Sequence, residues 1–443
     1  MSSGKIIVTF QKYLKFTLQK SKNIIQISSP IIKRNYHHGS SFWASVEMGP
    51  PDPVYGLTEA YRACKNPKKV NLSIGTYQDD NGKPYVLPCV RKAEKLLDSM
   101  RLNKDYCVPE GEEQYREKAQ QIILGRDSPH IKNKLTAATQ TVSRTGACRL
   151  AFDFIGLFYT GTKKLFVPKP TWGNHLQVAR HAGLSFDYYR YYDYKTFGLD
   201  YKGLMEDVSR IPDQGIILFH GCAHNPTGVD PSRSQWEEMS DLVRKKRLLV
   251  LFDLAYQGFA SGHFEVDSFA VRRFVEDGNN CMIVQSFCKN MGLYGDRPGG
   301  LIIITKKKEI AEKVQSQLRN LTIPMYLTPP IHGARIAQKI LSDSGLRDEW
   351  KREFKLIADR IISIRRILRS KLIKEGSIRN WDHIVHQNGM FCFTGLTKSQ
   401  VKKLQTEHSI YMSESGRISV GQLNTKNVDY VAHAIHLITR YIK

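Results

Sequence analysis

The sequence predicts an α/β fold with a mainly parallel sheet flanked by helices, and three observations support this. Short apolar runs alternate with longer amphipathic stretches between about residues 160 and 305. The runs are continuously apolar, as strands covered on both faces must be. The stretch 331–375 has a strong helical pattern. The predicted strands are KLFVPKP (164–170), GIILFH (215–220), LLVLFD (248–253), CMIVQSF (281–287) and GLIIIT (300–305).

The clearest helix between these strands is PSRSQWEEMSDLVRKKR, at 231–247. It has proline and serine near its start and basic residues at its end, which are the signals that begin and end helices. Strands that alternate with helices in this way indicate a mainly parallel sheet. Ligands bind beyond the carboxyl ends of the strands in such sheets, so the residues that follow each strand are the candidate site residues.

Composition argues against several classes of function. The 443 residues are 41% hydrophobic, and no apolar run reaches the roughly 18 residues that span a bilayer. The eight cysteines form no CxxC pair, which argues against a zinc site. The formal net charge of +24 would suit a nucleic-acid partner, but no nucleic-acid-binding motif accompanies it. We therefore expect no metal, no transmembrane segment and no nucleic-acid partner.

The N-terminal segment has a distinct composition. Its first 40 residues contain seven lysines and arginines, and the first acidic residue of the chain is Glu47. A basic, serine-containing and acid-free leader is typical of a mitochondrial presequence. We predict that residues 1–38 are such a presequence and that the protein lies in the mitochondrial matrix. The alternative interpretation is a disordered basic tail.

Polar side chains follow most of the predicted strands, at the point where each strand ends. The carboxyl ends of parallel strands meet at one edge of a sheet, so we expect these side chains to lie close together. They are Trp172 and His175 after the first strand, Asn225 after the second, Asp253 and Tyr256 at the end of the third, and Lys289 after the fourth.

A lysine in this position can carry specific chemistry. At a desolvated strand end the ammonium of Lys289 can lose its proton, and the amine can form a Schiff base with an aldehyde. If the aldehyde is pyridoxal 5'-phosphate, its ring nitrogen needs a carboxylate and its phosphate needs cations and a helix N-terminus. The candidates are Asp253 with His175 for the nitrogen, Asn225 and Tyr256 for the phenolic oxygen, Trp172 for the ring face, and Ser143, Thr145, Ser286 and Arg297 for the phosphate.

Longer motifs around these residues resemble the aspartate aminotransferases, specifically their mitochondrial form. The resemblance runs from about Phe42 to the C-terminus and rests on EMGPPDPVYGLTEAYR, PKPTWGNH, AHNPTG, DLAYQGFASG, SFCKNMGLYGDR and MFCFTGL. It implies a fold-type I transferase that binds pyridoxal 5'-phosphate and works as a homodimer with shared active sites. It also implies an arm at 39–51, a small α/β domain built from 52–84 and 357–443, and a large cofactor-binding domain at 85–356.

The same resemblance assigns roles to single residues. Lys289 would be the Schiff-base lysine and general acid/base, and Asp253 and Tyr256 would complete the catalytic set. The residues that it places against the substrate are Gly75, Trp172, Asn225 and Arg417, with Arg417 binding the α-carboxylate. Tyr106 would reach the cofactor phosphate from the other subunit.

The chain departs from the family's pattern at three places. Arg144 stands where the family has a glycine in the phosphate loop, so its side chain adds a cation there or crowds the cofactor. Ile323 stands where the family has the arginine that reaches the substrate's distal carboxylate across the dimer interface. The next polar pair of that loop has become Leu327 and Thr328.

The resemblance implies a ping-pong aminotransferase that nominally converts L-aspartate and 2-oxoglutarate to oxaloacetate and L-glutamate. Two alternatives stay open. The first is a transferase for aromatic or aliphatic amino acids, because Ile323 makes that wall of the site apolar. The second is a catalytically impaired, non-enzymatic paralogue, which the retained Lys289, Asp253 and Arg417 argue against.

Overall fold

The computed structural model describes residues 41–50, 52 and 55–440. The predicted presequence, 1–38, therefore lies outside the described residues. The chain divides into a first unit that ends at Pro51 and a second that begins at Asp52. The described part of the first unit contains a turn at 42–45, and its side chains are exposed. The helices and sheets described here belong to the second unit.

The described residues contain thirteen strands, seven of which form one central sheet. The strands are β1 Val70–Asn71, β2 Thr136–Val142, β3 Lys164–Lys169, β4 Ser185–Arg190, β5 Tyr192–Asp193, β6 Gly198–Leu199, β7 Ile216–His220, β8 Leu249–Leu254, β9 Asn280–Ser286, β10 Pro298–Ile304, β11 Phe391–Phe393, β12 Ile410–Tyr411 and β13 Arg417–Ser419. The order across the central sheet is β2-β10-β9-β8-β7-β3-β4. The five predicted strands are confirmed as β3, β7, β8, β9 and β10, whereas the more polar β2 and β4 were not predicted.

Sixteen α-helices surround the sheets in the described part of the chain. They are α1 Tyr55–Ala63, α2 Pro88–Ser99, α3 Glu113–Leu124, α4 Pro129–Lys132, α5 Ser143–Phe158, α6 Gly173–His181, α7 Tyr201–Arg210, α8 Arg233–Lys245, α9 Phe264–Asp267, α10 Phe269–Glu276, α11 Lys308–Tyr326, α12 His332–Ser342, α13 Ser344–Lys374, α14 His383–His386, α15 Lys398–His408 and α16 Val428–Thr439. Helix α8 matches the predicted one, and Ser232 caps it by accepting a hydrogen bond from the backbone N–H of Gln235.

The central sheet is covered on both faces, which explains its continuously apolar strands. In β7, Ile217 and Phe219 belong to one core cluster, and Ile216 and Leu218 belong to the other. The first cluster also contains residues of α8, α10 and α13, and the second contains residues of α5 and α11. Burial of each such side chain stabilises the fold by about 1.5–3 kcal/mol, so both layers hold the sheet edge in place.

Segments from the two ends of the second unit pair with each other. Strand β1, near the start of this unit, pairs in parallel with β12, near its end. Strands β11 and β13, which both lie in the C-terminal part, pair in antiparallel orientation. The predicted division into a large domain and a split small domain stays a prediction. None of the helices among the described residues combines the length and apolar character needed to cross a membrane.

Candidate functional site

The topology brings the predicted site residues to one edge of the central sheet. Strands β3, β7, β8 and β9 are parallel and end at this edge. Strand β2 ends there too, because it is antiparallel to β10, which is itself antiparallel to β9. Strand β4 ends there as well, because it is parallel to β3. The edge therefore collects the carboxyl ends of six strands and the start of β10. It carries Ser143 after β2, Trp172 after β3, Asn225 after β7, Asp253 in β8, Lys289 after β9 and Arg297 before β10.

Lys289 lies in the turn after β9, and its ammonium is turned inward. Its Nζ donates a hydrogen bond to the carbonyl oxygen of Gly75 at 2.5 Å and lies 4.8 Å from the ring centroid of Tyr294. No carboxylate of the described residues lies within ion-pair distance of it. Burial, helped by three nearby arginines, lowers the pKa of Lys289 to about 7. A substantial fraction of this lysine is therefore a neutral amine near neutral pH.

Asp253 is buried and offers one oxygen to two donors. Its Oδ2 accepts from Arg144 Nη1 at 2.9 Å and from His175 Nε2 at 2.8 Å. Burial alone would raise the pKa of this carboxyl, but Arg144 and His175 outweigh burial and hold the pKa at about 2. Oδ1 is buried and has no hydrogen-bond partner among the described residues. An acceptor left in this state can take a further N–H donor from a ligand.

A chain of hydrogen bonds orients the second donor to Asp253. Burial lowers the pKa of His175, so its ring is neutral and carries one N–H. Because Nε2 donates to Asp253, Nδ1 must accept from the hydroxyl of Thr171, 3.0 Å away. That hydroxyl in turn accepts from His220 Nε2 at 3.2 Å, and His220 Nδ1 accepts from the backbone N–H of Asn225 at 3.3 Å. All of these hydrogen bonds point the same way, from the N–H of Asn225 towards Asp253, and they fix the tautomers of His175 and His220.

Arg144 lies beside this carboxylate, not in a phosphate site. Only 7% of the residue is exposed. Its guanidinium carbon is 3.7 Å from the ring centroid of Trp172 and 6.0 Å from that of Tyr256. The sequence predicted that this side chain either adds a cation to the phosphate or crowds the cofactor. Its guanidinium instead contacts the ring of Trp172 and the carboxylate of Asp253.

Two residues in left-handed conformation shape the start of α5. Ser143 has φ 61° and Arg297 has φ 58°, and the N–H of Ser143 donates to the carbonyl of Arg297 at 2.7 Å. Gly299 allows this close approach, since a Cβ at that position would lie 2.4 Å from the Ser143 carbonyl carbon. The close packing joins the N-terminus of a 16-residue helix to the start of β10.

The cradle around this helix N-terminus is lined by hydroxyls and one arginine. Ser143 Oγ lies 3.5 Å from Cys288 Sγ, and the N–H of Cys288 donates to Ser286 Oγ at 3.0 Å. Arg297 Nη1 contacts the same sulfur at 3.6 Å and donates to the Tyr294 carbonyl at 3.2 Å. None of the carboxylates in the described residues pairs with Arg297. Hydroxyls, helix N–H groups and an unpaired guanidinium together suit a phosphate.

Arg417 is a second arginine without a carboxylate. Its Nη2 donates to the carbonyl of Ser73 at 2.7 Å, and its Nη1 donates to Asn225 Oδ1 at 3.2 Å. Its guanidinium carbon lies 4.3 Å from the ring centroid of Phe391. The Nε of Arg417 is buried and has no partner in the described part of the chain. A buried guanidinium that is only partly satisfied favours an incoming anion such as a carboxylate.

Two aspartates and a tryptophan outside the site fix the loops that carry its residues. Asp230 accepts from the N–H groups of Ala223 and His224, at 2.6 and 2.9 Å, and so holds the loop that carries Asn225. Asp267 accepts from the N–H of Gly258 at 2.8 Å and steadies the segment after Tyr256. Trp350 does the same for Lys289, because its Nε1 donates to the Asn290 carbonyl at 2.8 Å.

In the described part of the chain, three predicted site residues make no side-chain hydrogen bond or ion pair with the site residues described above. Tyr106 is 80% exposed, and Ile323 is 41% exposed on α11. Thr145 is half-buried in the first turn of α5, and no side-chain hydrogen bond ties it to the cradle. Their predicted roles stay predictions. Sequence reasoning gave no role to Thr171, Tyr294 and Phe391, although the position of Thr171 four residues before His175 was a usable signal.

The donor set fits pyridoxal 5'-phosphate with one reservation. The unpaired oxygen of Asp253 suits the ring nitrogen, the cradle at Ser143 and Arg297 suits the phosphate, and Lys289 suits the aldehyde. The reservation is Arg144, whose guanidinium covers the aromatic face that the ring would use.

Comparison with known proteins identifies what the chain resembles. Residues 67–435 match the family "Aminotransferase class I and II". The chain is 49% identical over 425 residues to the mitochondrial aspartate aminotransferase of Xenopus tropicalis, covering 96% of this chain and 100% of the relative. It is 50% identical over 401 residues to that of Gallus gallus, covering 90% of this chain and 95% of the relative.

Solved structures show the same fold. One is an aromatic-amino-acid aminotransferase from Burkholderia pseudomallei, described as covalently bound to pyridoxal phosphate. It aligns with a TM-score of 0.87 and 38% identity, over 90% of this chain and all of that one.

Proposed function

We propose that this chain transfers amino groups with pyridoxal 5'-phosphate as its cofactor. The chain belongs to the class I and II aminotransferases, and among them to the aspartate aminotransferases. The observation that carries this proposal is Lys289. It is an inward-facing lysine with no carboxylate partner among the described residues, a pKa of about 7 and a place at the same edge of the sheet as Asp253 and the Ser143 cradle. An amine of this kind is suited both to join a carbonyl carbon and to carry a proton.

Each residue of the site would hold a different part of the cofactor or the substrate. When bound, the cofactor supplies an electron sink for the charge left on the substrate's α-carbon. Asp253 would hold the ring nitrogen, Asn225 and Tyr256 the phenolic oxygen, and the Ser143 cradle the phosphate. Arg417 would bind and orient the α-carboxylate. Lys289, whose amine is held by the carbonyl of Gly75, would take the proton from the substrate's α-carbon and deliver it to the carbon that was the cofactor's aldehyde.

The substrates that we propose are aspartate and 2-oxoglutarate, following the names of the relatives at 49% and 50% identity. A second candidate is an aromatic or aliphatic amino acid. It is favoured by Ile323, an apolar side chain that is 41% exposed where the resemblance places a carboxylate-binding arginine. The alignment with an aromatic-amino-acid aminotransferase is consistent with this alternative. Turnover measured with aspartate, phenylalanine and leucine separates the two.

Two further proposals concern assembly and location. The exposure of Tyr106, Ile323 and Leu327 supports a homodimer in which they meet the partner subunit. The names of the relatives and the basic, acid-free leader support delivery to the mitochondrial matrix. A monomer in analytical ultracentrifugation would contradict the first proposal. A cytosolic reporter fused to residues 1–38 would contradict the second.

The test of the proposed activity uses the purified full chain and added pyridoxal 5'-phosphate. We expect a new visible absorbance band, loss of that band on borohydride reduction, and a pyridoxyl group on the peptide that contains Lys289. Addition of an amino acid to the unreduced protein should convert the band and release a 2-oxo acid. Binding without release of a 2-oxo acid would leave a cofactor-binding protein and overturn the proposal.

A further inference from the structure

We propose that Arg144 is a built-in competitor of the cofactor, whose guanidinium holds the ring position until pyridoxal 5'-phosphate displaces it. This inference rests on the proposed function, because Asp253 and Trp172 are the ring-binding residues of that proposal. It adds that cofactor binding requires a side-chain exchange inside the site.

The guanidinium of Arg144 has the same features by which the cofactor ring would bind Trp172 and Asp253. It is planar and lies against Trp172, with its carbon 3.7 Å from the ring centroid. It is a cation with an N–H directed at Asp253, 2.9 Å from Oδ2. Both side chains are buried, with 9% of Arg144 and 1% of Asp253 exposed. Planarity, charge and a directed N–H are what a pyridinium ring presents to a carboxylate and an aromatic face.

The two groups exclude each other. A carbon 3.7 Å from the Trp172 centroid is in van der Waals contact, so no second planar group fits on that face. Oδ1 of Asp253 is free, but a ring that used it would still have to occupy the space beside Trp172. Arg144 must therefore leave this position when the ring enters, and its hydrogen bond to Asp253 must break.

The phosphate end of the site is independent of this exchange. The hydrogen bonds of the cradle join Ser143, Ser286, Cys288 and Arg297, and none of them involves the Arg144 side chain. The backbone of Arg144 lies in the first turn of α5, so the side chain can swing away while the cradle stays formed. Competition should thus weaken binding of the whole cofactor much more than binding of phosphate alone.

The experiment compares wild type with Arg144→Gly, and uses Arg149→Gly as the matched control. Arg149 is an arginine on the same helix whose partner is Asp153, outside the site. Cofactor affinity is measured by titration of each cofactor-free protein with pyridoxal 5'-phosphate, and inorganic phosphate is titrated as a competitor. Arg144→Gln is a second variant that removes the charge without adding a glycine to the helix, should Arg144→Gly fail to fold.

We expect Arg144→Gly to bind pyridoxal 5'-phosphate at least about tenfold more tightly than wild type. This is the effect of one charge-assisted hydrogen bond that no longer has to be broken. Phosphate affinity should change less than about threefold, and Arg149→Gly should match wild type for both ligands. Equal or weaker cofactor binding by both Arg144 variants would overturn the inference. A failure of every variant, wild type included, to bind the cofactor would instead overturn the proposed function.

Discussion

Two arginines face the same site, Arg144 buried and Arg417 half-buried, and they differ in the groups that balance their positive charge. Arg144 pairs with the carboxylate of Asp253 at 2.9 Å. Arg417 has a backbone carbonyl, the amide oxygen of Asn225 and the ring of Phe391, but none of these carries a negative charge. Burial lowers the pKa of Arg417, whereas the pKa of Arg144 is raised because Asp253 outweighs burial.

The contrast shows which parts of the site await a ligand. A buried cation without an anion is costly, and a substrate carboxylate removes that cost. A buried cation that already has its anion gains nothing from a ligand and must be displaced by one. The substrate side of the site, around Arg417, is therefore prepared for binding, whereas the ring side, around Arg144, is closed by the protein's own charge pair.

The largest expected effect on activity comes from replacing Lys289, the proposed catalytic lysine. Lys289→Ala should lower kcat by at least about 10²–10⁴-fold, because general acid–base catalysis alone contributes that much. The variant should also lose the borohydride-reducible attachment of the cofactor. Lys403→Ala, at an exposed position on α15, is the control and should match wild type. A reducible adduct that survives in Lys289→Ala would assign the chemistry to another lysine.

Replacing the two arginines should change different properties: catalysis for Arg417 and the stability of the cofactor-free protein for Arg144. Arg417→Ala should lower kcat/KM for every amino acid by about 10²–10³·⁵-fold, since leaving the substrate's α-carboxylate buried without a partner costs about 3–5 kcal/mol. It should destabilise the cofactor-free protein less than Arg144→Ala does, because it removes neutral hydrogen bonds and leaves no protein carboxylate without its partner. Arg144→Ala should destabilise the cofactor-free protein by up to about 3–5 kcal/mol by leaving Asp253 without its guanidinium.

Thermal unfolding of both cofactor-free variants, together with substrate kinetics, checks this pair of predictions. If Arg417→Ala destabilised the protein as much as Arg144→Ala, it would be wrong to distinguish an arginine that has a carboxylate partner from one that has none.

A smaller effect concerns the distal end of the substrate. Ile323→Arg should raise kcat/KM for aspartate at least about tenfold relative to phenylalanine, because the new cation offers the second carboxylate a partner. Ile310→Arg is the matched control, because Ile310 lies on the same helix and is 45% exposed, against 41% for Ile323. Equal gains from both variants would reduce the effect to a general increase in positive charge.

The smallest expected effect is a shift in the titration of Lys289. In the cofactor-free protein its labelling by acetic anhydride should rise with pH around a midpoint near 7. Arg144→Gln should move that midpoint to higher pH, because it removes a positive charge that disfavours the ammonium. Peptide mass spectrometry measures the labelling, with exposed Lys403 as internal reference. An unchanged midpoint in Arg144→Gln would show that the two cations do not interact.

The same lysine makes stability depend on pH. Its pKa is lower in the folded protein, at about 7, than the ordinary lysine value of 10.5 that applies to the unfolded chain. Between these values the unfolded chain binds more protons, so this group makes the folded protein more stable as pH rises through that window.

Most of the architecture could be predicted because the periodicity was unambiguous. The strands that are apolar on both faces, such as β7 and β8, were recognisable from their runs. Strand β2, TAATQTV, was missed because threonine and glutamine interrupt its apolar pattern, although its end positions Ser143. The residues that follow the strands were found for the same topological reason.

What the sequence could not predict is where a long side chain turns. Arg144 is next to Ser143, so its position suggested the phosphate. Asp253 lies 109 residues away in the chain, and only the folded sheet places it within reach of Arg144. The Thr171 bridge between two histidines and the Phe391 ring beside Arg417 depend on the same long-range packing.

The central claim is that Arg144 and the cofactor ring use the same place, and a crystal structure of the protein with pyridoxal 5'-phosphate bound tests it directly. The quantity to measure is the distance between the Arg144 guanidinium and the Asp253 carboxylate, which is 2.9 Å in the present structure. We predict that this pair is broken, that Arg144 has left the face of Trp172, and that the ring nitrogen has taken its place at Asp253. A bound cofactor with Arg144 still paired to Asp253 and stacked on Trp172 would contradict the claim.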